Sequence, residues 1–184
     1  ECVLVYEPHE LESEKALMSA QGRALTRKLE SLLIRFTDAV CLVNQSIADW
    51  YAAAYRLKTV WVVKNVPYRD EFEPVRNGLL RKSIGLEPVD AQLFLYQGGL
   101  VPGRGLELLI EAFSQVSVHK RLVFMGFGEF EERIRHVASM RPNIHFMPAV
   151  RPDEVKNYTV DADVGLSLTE NISLNNYLCL PNKL

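Results

Sequence analysis

YQGGLVPGRGLELLIEAF, Tyr96 to Phe113, sets four glycines, a proline and one arginine between an apolar run and a segment of helical periodicity. Such a stretch reads as a strand, a tight turn and a helix, which is the repeating step of a parallel sheet. In sheets of this kind ligands bind outside the carboxyl ends of the strands, where helices begin. Gly98 and Gly99 would let backbone N–H groups approach a ligand with no Cβ in the way, and the helix start adds a partial positive charge. Arg104 would bring a guanidinium suited to phosphate oxygens. The expected visitor is a phosphate or diphosphate. Taken alone, the stretch fits equally a tight turn whose arginine faces water.

Outward from this junction the same rhythm continues. RLVFMGFG (121–128) precedes a helix expected over 129–139, with Gly126 and Gly128 at the strand end. IHFMPAV (144–150) precedes a short helix from Pro152, and DVGLSL (163–168) leads to the polar stretch TENISLNNY. Asn175, Asn176 and the backbone at Ser173 and Leu174 could donate to phosphate there, although a solvated turn has the same composition. A helix launched at Pro181 offers a further positive pole.

Toward the amino end, CVLVY (2–6), AVCLVN (39–44) and TVWVVKN (59–65) alternate with helices over 22–36 and from Asn44 or Ser46. Leu25, Leu29, Leu32, Leu33 and Phe36 share one face of the first helix and predict its buried side. VPYRDEFEPVRNG then loses all periodicity. The expected class is α/β with two parallel-sheet units: residues 1–66, a linker over 67–77, and 78–184. Their carboxyl edges are expected to face a shared cleft.

Composition bounds the rest. The chain has 184 residues, 48% of them hydrophobic, enough for real cores. A formal charge of −2 and a pI near 6.1 predict no nucleic-acid partner. No apolar run reaches membrane-spanning length, so a cytoplasmic protein is expected. The basic residues of helix 22–36 raise contact with the periphery of a membrane, weakened by the acidic EPHELESE before it. Cys2, Cys41 and Cys179 lack metal-ligand spacing, and their apolar neighbours predict buried thiols. His119, His136 and His145 have no ligand spacing either. Asp161-Ala162-Asp163 spells a metal-type D-x-D, but at the amino edge of a strand, so no metal is expected. The ends resemble those of an excised piece, with a strand pattern from the second residue and a stop at LCLPNKL.

The motifs together resemble those of retaining glycosyltransferases of the GT-B fold, the glycosyltransferase group 1 family (family 4-like). YQGGLVPGRGLELLIEAF, LVFMGFGEFEERI, NIHFMPAVRPDEVKNYTVDADVGLSL and SLNNYLCLPNKL look like its donor-binding, carboxyl-terminal domain. VYEPHELESE, TDAVCLVNQSIADWY and VWVVKNVP look like the second half of its acceptor domain. The resemblance implies two Rossmann-like units, the first partial and the second truncated, and a nucleotide-diphosphate sugar as donor. It implies transfer with retention to a glycan, lipid or polysaccharide precursor. By the same resemblance Gly98, Gly99 and Arg104 hold the diphosphate, Leu174 and Asn175 line the diphosphate or sugar, and Val150 meets the base through its backbone. His9 stands near the reacting sugar. Where many relatives place an arginine this chain has Gly99, which shifts the grip to Arg104, Lys183 and backbone amides. The family's ribose-holding glutamate would fall just past Leu184, so the fragment is expected to be inactive. No cofactor or metal is implied. A sugar-nucleotide epimerase of the same architecture, or a nucleotide-binding domain without transfer chemistry, would share most of these features, whereas a dinucleotide oxidoreductase needs a G-x-G-x-x-G that GGLVPGRG does not supply.

Overall fold

Alternating side chains of opposite polarity make half-covered strands, and unbroken apolar runs make strands covered on both faces. Both kinds occur in the computed structural model, which describes residues 2–66, 75–86 and 91–180. The chain divides into two units. The first gathers the residues before Asp70 and those from Glu170 on, and the second is Asp70–Thr169.

In the first unit Val5–Tyr6 (β1), Ala39–Leu42 (β2) and Trp61–Val62 (β3) form a parallel sheet in that order, with Tyr6 beside Val40 and Leu42 beside Val62. Ala20–Leu33 (α1) starts at Ser19, whose hydroxyl accepts from the Gly22 N–H at 3.1 Å. Gln45–Tyr55 (α2) starts at Asn44, whose Oδ1 accepts from the Ile47 N–H at 2.8 Å, and stops at Arg56 in the left-handed region, φ 55°. Leu11, Ile34, Val40, Leu42, Ile47 and Tyr51 form its core.

The leucine face expected to be buried on α1 is not. Leu25, Leu29, Leu32, Leu33 and Phe36 are 48–70% exposed, and the helix instead buries Glu30. The reason is polar. The Glu30 carboxylate accepts hydroxyl protons from Tyr6 at 2.7 Å, Tyr51 at 2.8 Å and Tyr55 at 2.6 Å, so α1 turns this residue inward. A buried carboxylate must be bonded to be tolerated, and this one meets three donors.

The second unit carries Leu79–Ser83 (α3), Gln92–Gly99 (β4), Leu106–Ser114 (α4), Lys120–Phe127 (β5), Glu131–Met140 (α5), Ile144–Pro148 (β6), Val155–Thr159 (α6) and Val164–Leu166 (β7). Its four strands are parallel in the order β6-β5-β4-β7. Tyr96, Leu122, Phe124 and Ile144 pack with Leu106, Leu109, Ile110 and Phe113 of α4 and Ile134 of α5. Leu93, Leu95, Val123, Met125 and Met147 pack with Leu80 of α3, with Val155 and Tyr158 of α6 against them. Neighbouring residues of β4 thus enter two different cores, which explains its unbroken apolar run. Each such side chain contributes about 1.5–3 kcal/mol.

Two further differences from the sequence reading have local causes. Residues from Glu170 on belong with the first unit rather than closing the second, because Leu174–Leu178 (α7) docks there. Asn175 Oδ1 accepts the Leu11 N–H at 2.7 Å, and Asn44 Nδ2 donates to the Leu178 carbonyl at 2.8 Å. The cysteines are free thiols, but Cys2 is exposed and Cys41 and Cys179 are only half-buried. Cys2 precedes β1, Cys41 lies on the four-residue β2 and Cys179 follows α7, so apolar neighbours in sequence do not enclose them. Most of the linker, residues 67–74, and the helix start at Pro181 lie outside the described residues.

Candidate functional site

The carboxyl edge of the second sheet is built by the turn after β4. Gly98 sits at φ 124°, Gly103 at φ 80° and Gly105 at φ 67°, all in the region where side chains are strained. The left-handed Gly105 starts α4 and, being glycine, supplies no cap from a side chain of its own. A Cβ on Gly105 would stand 2.7 Å from the Leu168 side chain, so the residue after β7 presses directly on the start of α4. β4 lies between β5 and β7, with helices on both faces, and this is the kind of strand reversal where α/β sheets open a binding crevice. Tyr96 stiffens the turn by donating its hydroxyl proton to the Gly99 carbonyl at 2.8 Å. Burial raises the Tyr96 pKa, and the nearby Arg104 charge pulls it partly back.

Arg104 is half-buried in this turn, and no carboxylate among the described residues pairs with it. The neighbouring acid of the helix start, Glu107, is engaged elsewhere, with Arg133 at 2.7 Å. A guanidinium that no described carboxylate pairs, set beside the start of a helix, is a place for an anion.

The glycines at the end of β5, Gly126 within the strand and Gly128 just past it, make room for backbone. A Cβ on Gly126 would overlap the Gly98 carbonyl oxygen, and one on Gly128, at φ 146°, would stand 2.5 Å from the Leu100 carbonyl oxygen. These two residues let the β4 turn lie on β5; they shape the crevice rather than open a path to a ligand. Gly126→Ala is therefore expected to lose about 2 kcal/mol or more of stability by forcing two strands apart. Urea unfolding checks it, and a loss below about 0.5 kcal/mol, the scale of an ordinary surface change, would contradict the packing argument.

The remaining candidates are placed as follows. Val150 follows β6, two strands from β4, with its half-buried side chain against the Leu93–Met125 core. His9 is exposed on the loop after β1, between buried Pro8 and buried Leu11. Leu174 and Asn175 lie on α7 in the first unit. Leu174 is exposed, whereas Asn175 is buried, with its side-chain oxygen committed to Leu11. Lys183 lies outside the described residues.

The D-x-D carboxylates have structural partners. Asp161 accepts the backbone N–H groups of Asn77, Gly78 and Leu80 at 2.8–3.0 Å, holding the start of α3. Asp163 accepts the Leu93 N–H at 2.7 Å and pairs with Arg76 at 2.7 Å and Arg81 at 3.5 Å. Burial would raise the Asp163 pKa, but the Leu93 N–H and the two arginines outweigh it and hold the carboxyl below its usual range. His145 is half-buried and lies far along the strand from the edge that carries the turn, and burial lowers its pKa, with Arg121 adding to the effect.

No protein-family model matches the chain, and no curated protein matches it. The fold, by contrast, has clear counterparts. It is α/β with two Rossmann-like parallel-sheet units, the pair that defines the GT-B class. The chain is similar to Anabaena HepE in complex with UDP and glucose, with a TM-score of 0.65 at 17% identity over 91% of this chain and 46% of that one. It is similar also to HepE in complex with UDP-glucose, with a TM-score of 0.66 at 17% identity over 91% and 47%. The chain thus spans less than half the length of these structures. No helix among the described residues is long and apolar enough to cross a membrane.

Proposed function

We propose that this chain is the donor-binding portion, with part of the acceptor side, of a glycosyltransferase that moves a sugar from a nucleotide-diphosphate sugar to a glycan, lipid or polysaccharide precursor with retention. The observation that carries the reading is Arg104, a cation with no carboxylate partner among the described residues, set in a glycine turn at the start of α4. Its chemistry suits a diphosphate, and HepE, which shares the fold, is described with UDP and with UDP-glucose.

In this reading Gly98, Gly99 and Arg104 take the diphosphate, the backbone at Val150 takes the base, and Leu174 with Lys183 completes the donor side. His9, exposed on a loop pinned at both flanks, is assigned to the reacting sugar, where an imidazole can bond a hydroxyl or steady the leaving phosphate. The role needs no metal or cofactor, since an arginine and helix N–H groups can offset the charge that builds on the departing diphosphate. Incubating the full-length protein with UDP-, GDP- and ADP-sugars and lipid-extract acceptors, with mass spectrometry of the products, tests the reading. A glycosylated acceptor is the expected result. Sugar inversion at one carbon without any transfer would point to the epimerase class instead.

A further inference from the structure

Asn175 belongs to α7, which follows the last strand of the second unit and yet packs in the first. We infer that Asn175 is a positioning residue whose task is to hold the His9 loop still; the inference rests on the transferase reading of His9. The side chain is 7% exposed, and its Oδ1 accepts the N–H of Leu11, 164 residues away in sequence, at 2.7 Å in a buried setting. Leu11 is itself fully buried. His9 therefore stands one residue after buried Pro8 and two before a residue fixed by both its side chain and its backbone.

Just beyond, the Leu11 carbonyl accepts the Glu14 N–H at 2.9 Å, and buried Glu14 takes two hydrogen bonds from Arg27, at 3.0 and 2.6 Å. The loop is thus tied at Leu11 and again at Glu14, and His9 is the exposed ring two residues before the first tie. A buried N–H without an acceptor is strongly unfavourable, so without the Asn175 oxygen the loop would have to open to water at Leu11. α7 is in turn held by the Asn44 Nδ2 bond to the Leu178 carbonyl and by Leu178 against the Tyr51 core. The motif residue acts through Leu11, with its acceptor already taken.

Asn175→Leu removes the acceptor at similar volume, whereas Asn175→Asp keeps an oxygen for the Leu11 N–H. In Asn175→Leu the Leu11 amide should exchange hydrogen at least tenfold faster. In the full-length protein carrying the same change, the kcat for UDP-glucose hydrolysis should fall about tenfold or more, with KM and calorimetric UDP affinity within about twofold. Asn175→Asp should restore amide protection and most of kcat. Should the leucine variant not fold, Asn44→Asp serves: it keeps the α2 cap, removes the donor to Leu178, and should speed exchange at Leu11. Unchanged Leu11 exchange, or a loss that falls on UDP affinity alone, would overturn the inference and return Asn175 to direct ligand contact. A wild type that neither binds UDP nor hydrolyses UDP-glucose would overturn the transferase reading, and with it the catalytic part of this inference. Leu11 exchange would still decide whether Asn175 holds the loop.

Discussion

Replacing Glu30 with leucine is expected to destabilise the first unit by roughly 3–5 kcal/mol, somewhat less than the sum of three charge-assisted bonds at about 1.5–3 kcal/mol each, because bonds to one carboxylate are not independent. The substitution leaves the hydroxyls of Tyr6, Tyr51 and Tyr55 facing an apolar side chain where they now meet oxygens at 2.6–2.8 Å. Both tryptophans, Trp50 and Trp61, lie in this unit, so fluorescence during urea unfolding reports on it. The matching control is Glu30→Leu with all three tyrosines changed to phenylalanine. Removing both sides of a buried polar contact can be nearly neutral, so most of the loss should return. A leucine variant within about 0.5 kcal/mol of wild type would show that the tyrosines find other partners.

The same cluster makes an alkaline prediction with a definite sign. Burial first, and then the bond to and charge of Glu30, hold the pKa values of Tyr6, Tyr51 and Tyr55 well above the ordinary phenol range. A group whose folded pKa is raised contributes stability that is complete below its unfolded value, near pH 10, and is lost as pH rises above it. Wild type should therefore unfold in alkali as these phenols ionise. In the leucine variant the dependence should shrink without vanishing, because burial remains.

This cluster also marks where sequence reasoning stopped. Hydrophobic period on α1 selects Leu25, Leu29, Leu32, Leu33 and Phe36 as the buried stripe, and only the three tyrosines, 21 to 25 residues from Glu30 in sequence, account for the opposite choice. The two sheets and their helices were legible, since β4 and β5 are apolar on every residue that enters one of two cores. Gly98, Gly99 and Arg104 were legible for a related reason: a strand end before a helix is a local pattern. The purpose of Gly126 and Gly128 was not, because the atoms they make room for belong to the neighbouring strand's turn. Nor could local pattern place Asn175, read as part of a polar loop, on a short helix whose partner is Leu11.

Arg104→Ala is expected to weaken UDP binding about ten- to hundredfold, the loss of a charge-assisted contact of about 1.5–3 kcal/mol, with the thermal melt almost unmoved. The stability half follows from the geometry. Arg104 is half-buried and pairs with no carboxylate among the described residues, so its removal leaves no buried charge without a partner and should cost less than about 0.5 kcal/mol. The binding half follows from what remains. Without the guanidinium, the turn still offers its backbone and the start of α4, but not the fork that grips two oxygens at once. Arg104→Lys separates those contributions, since it keeps the charge and loses the fork; its affinity should fall between the other two. Tyr96→Phe controls for the turn itself, as it removes the 2.8 Å bond to the Gly99 carbonyl while leaving Arg104 in place. If that control matched Arg104→Ala, the arginine would matter through the shape of the turn. If UDP bound all four proteins alike, the diphosphate would have to lie away from this turn, and the glycines would be left with packing alone to explain them.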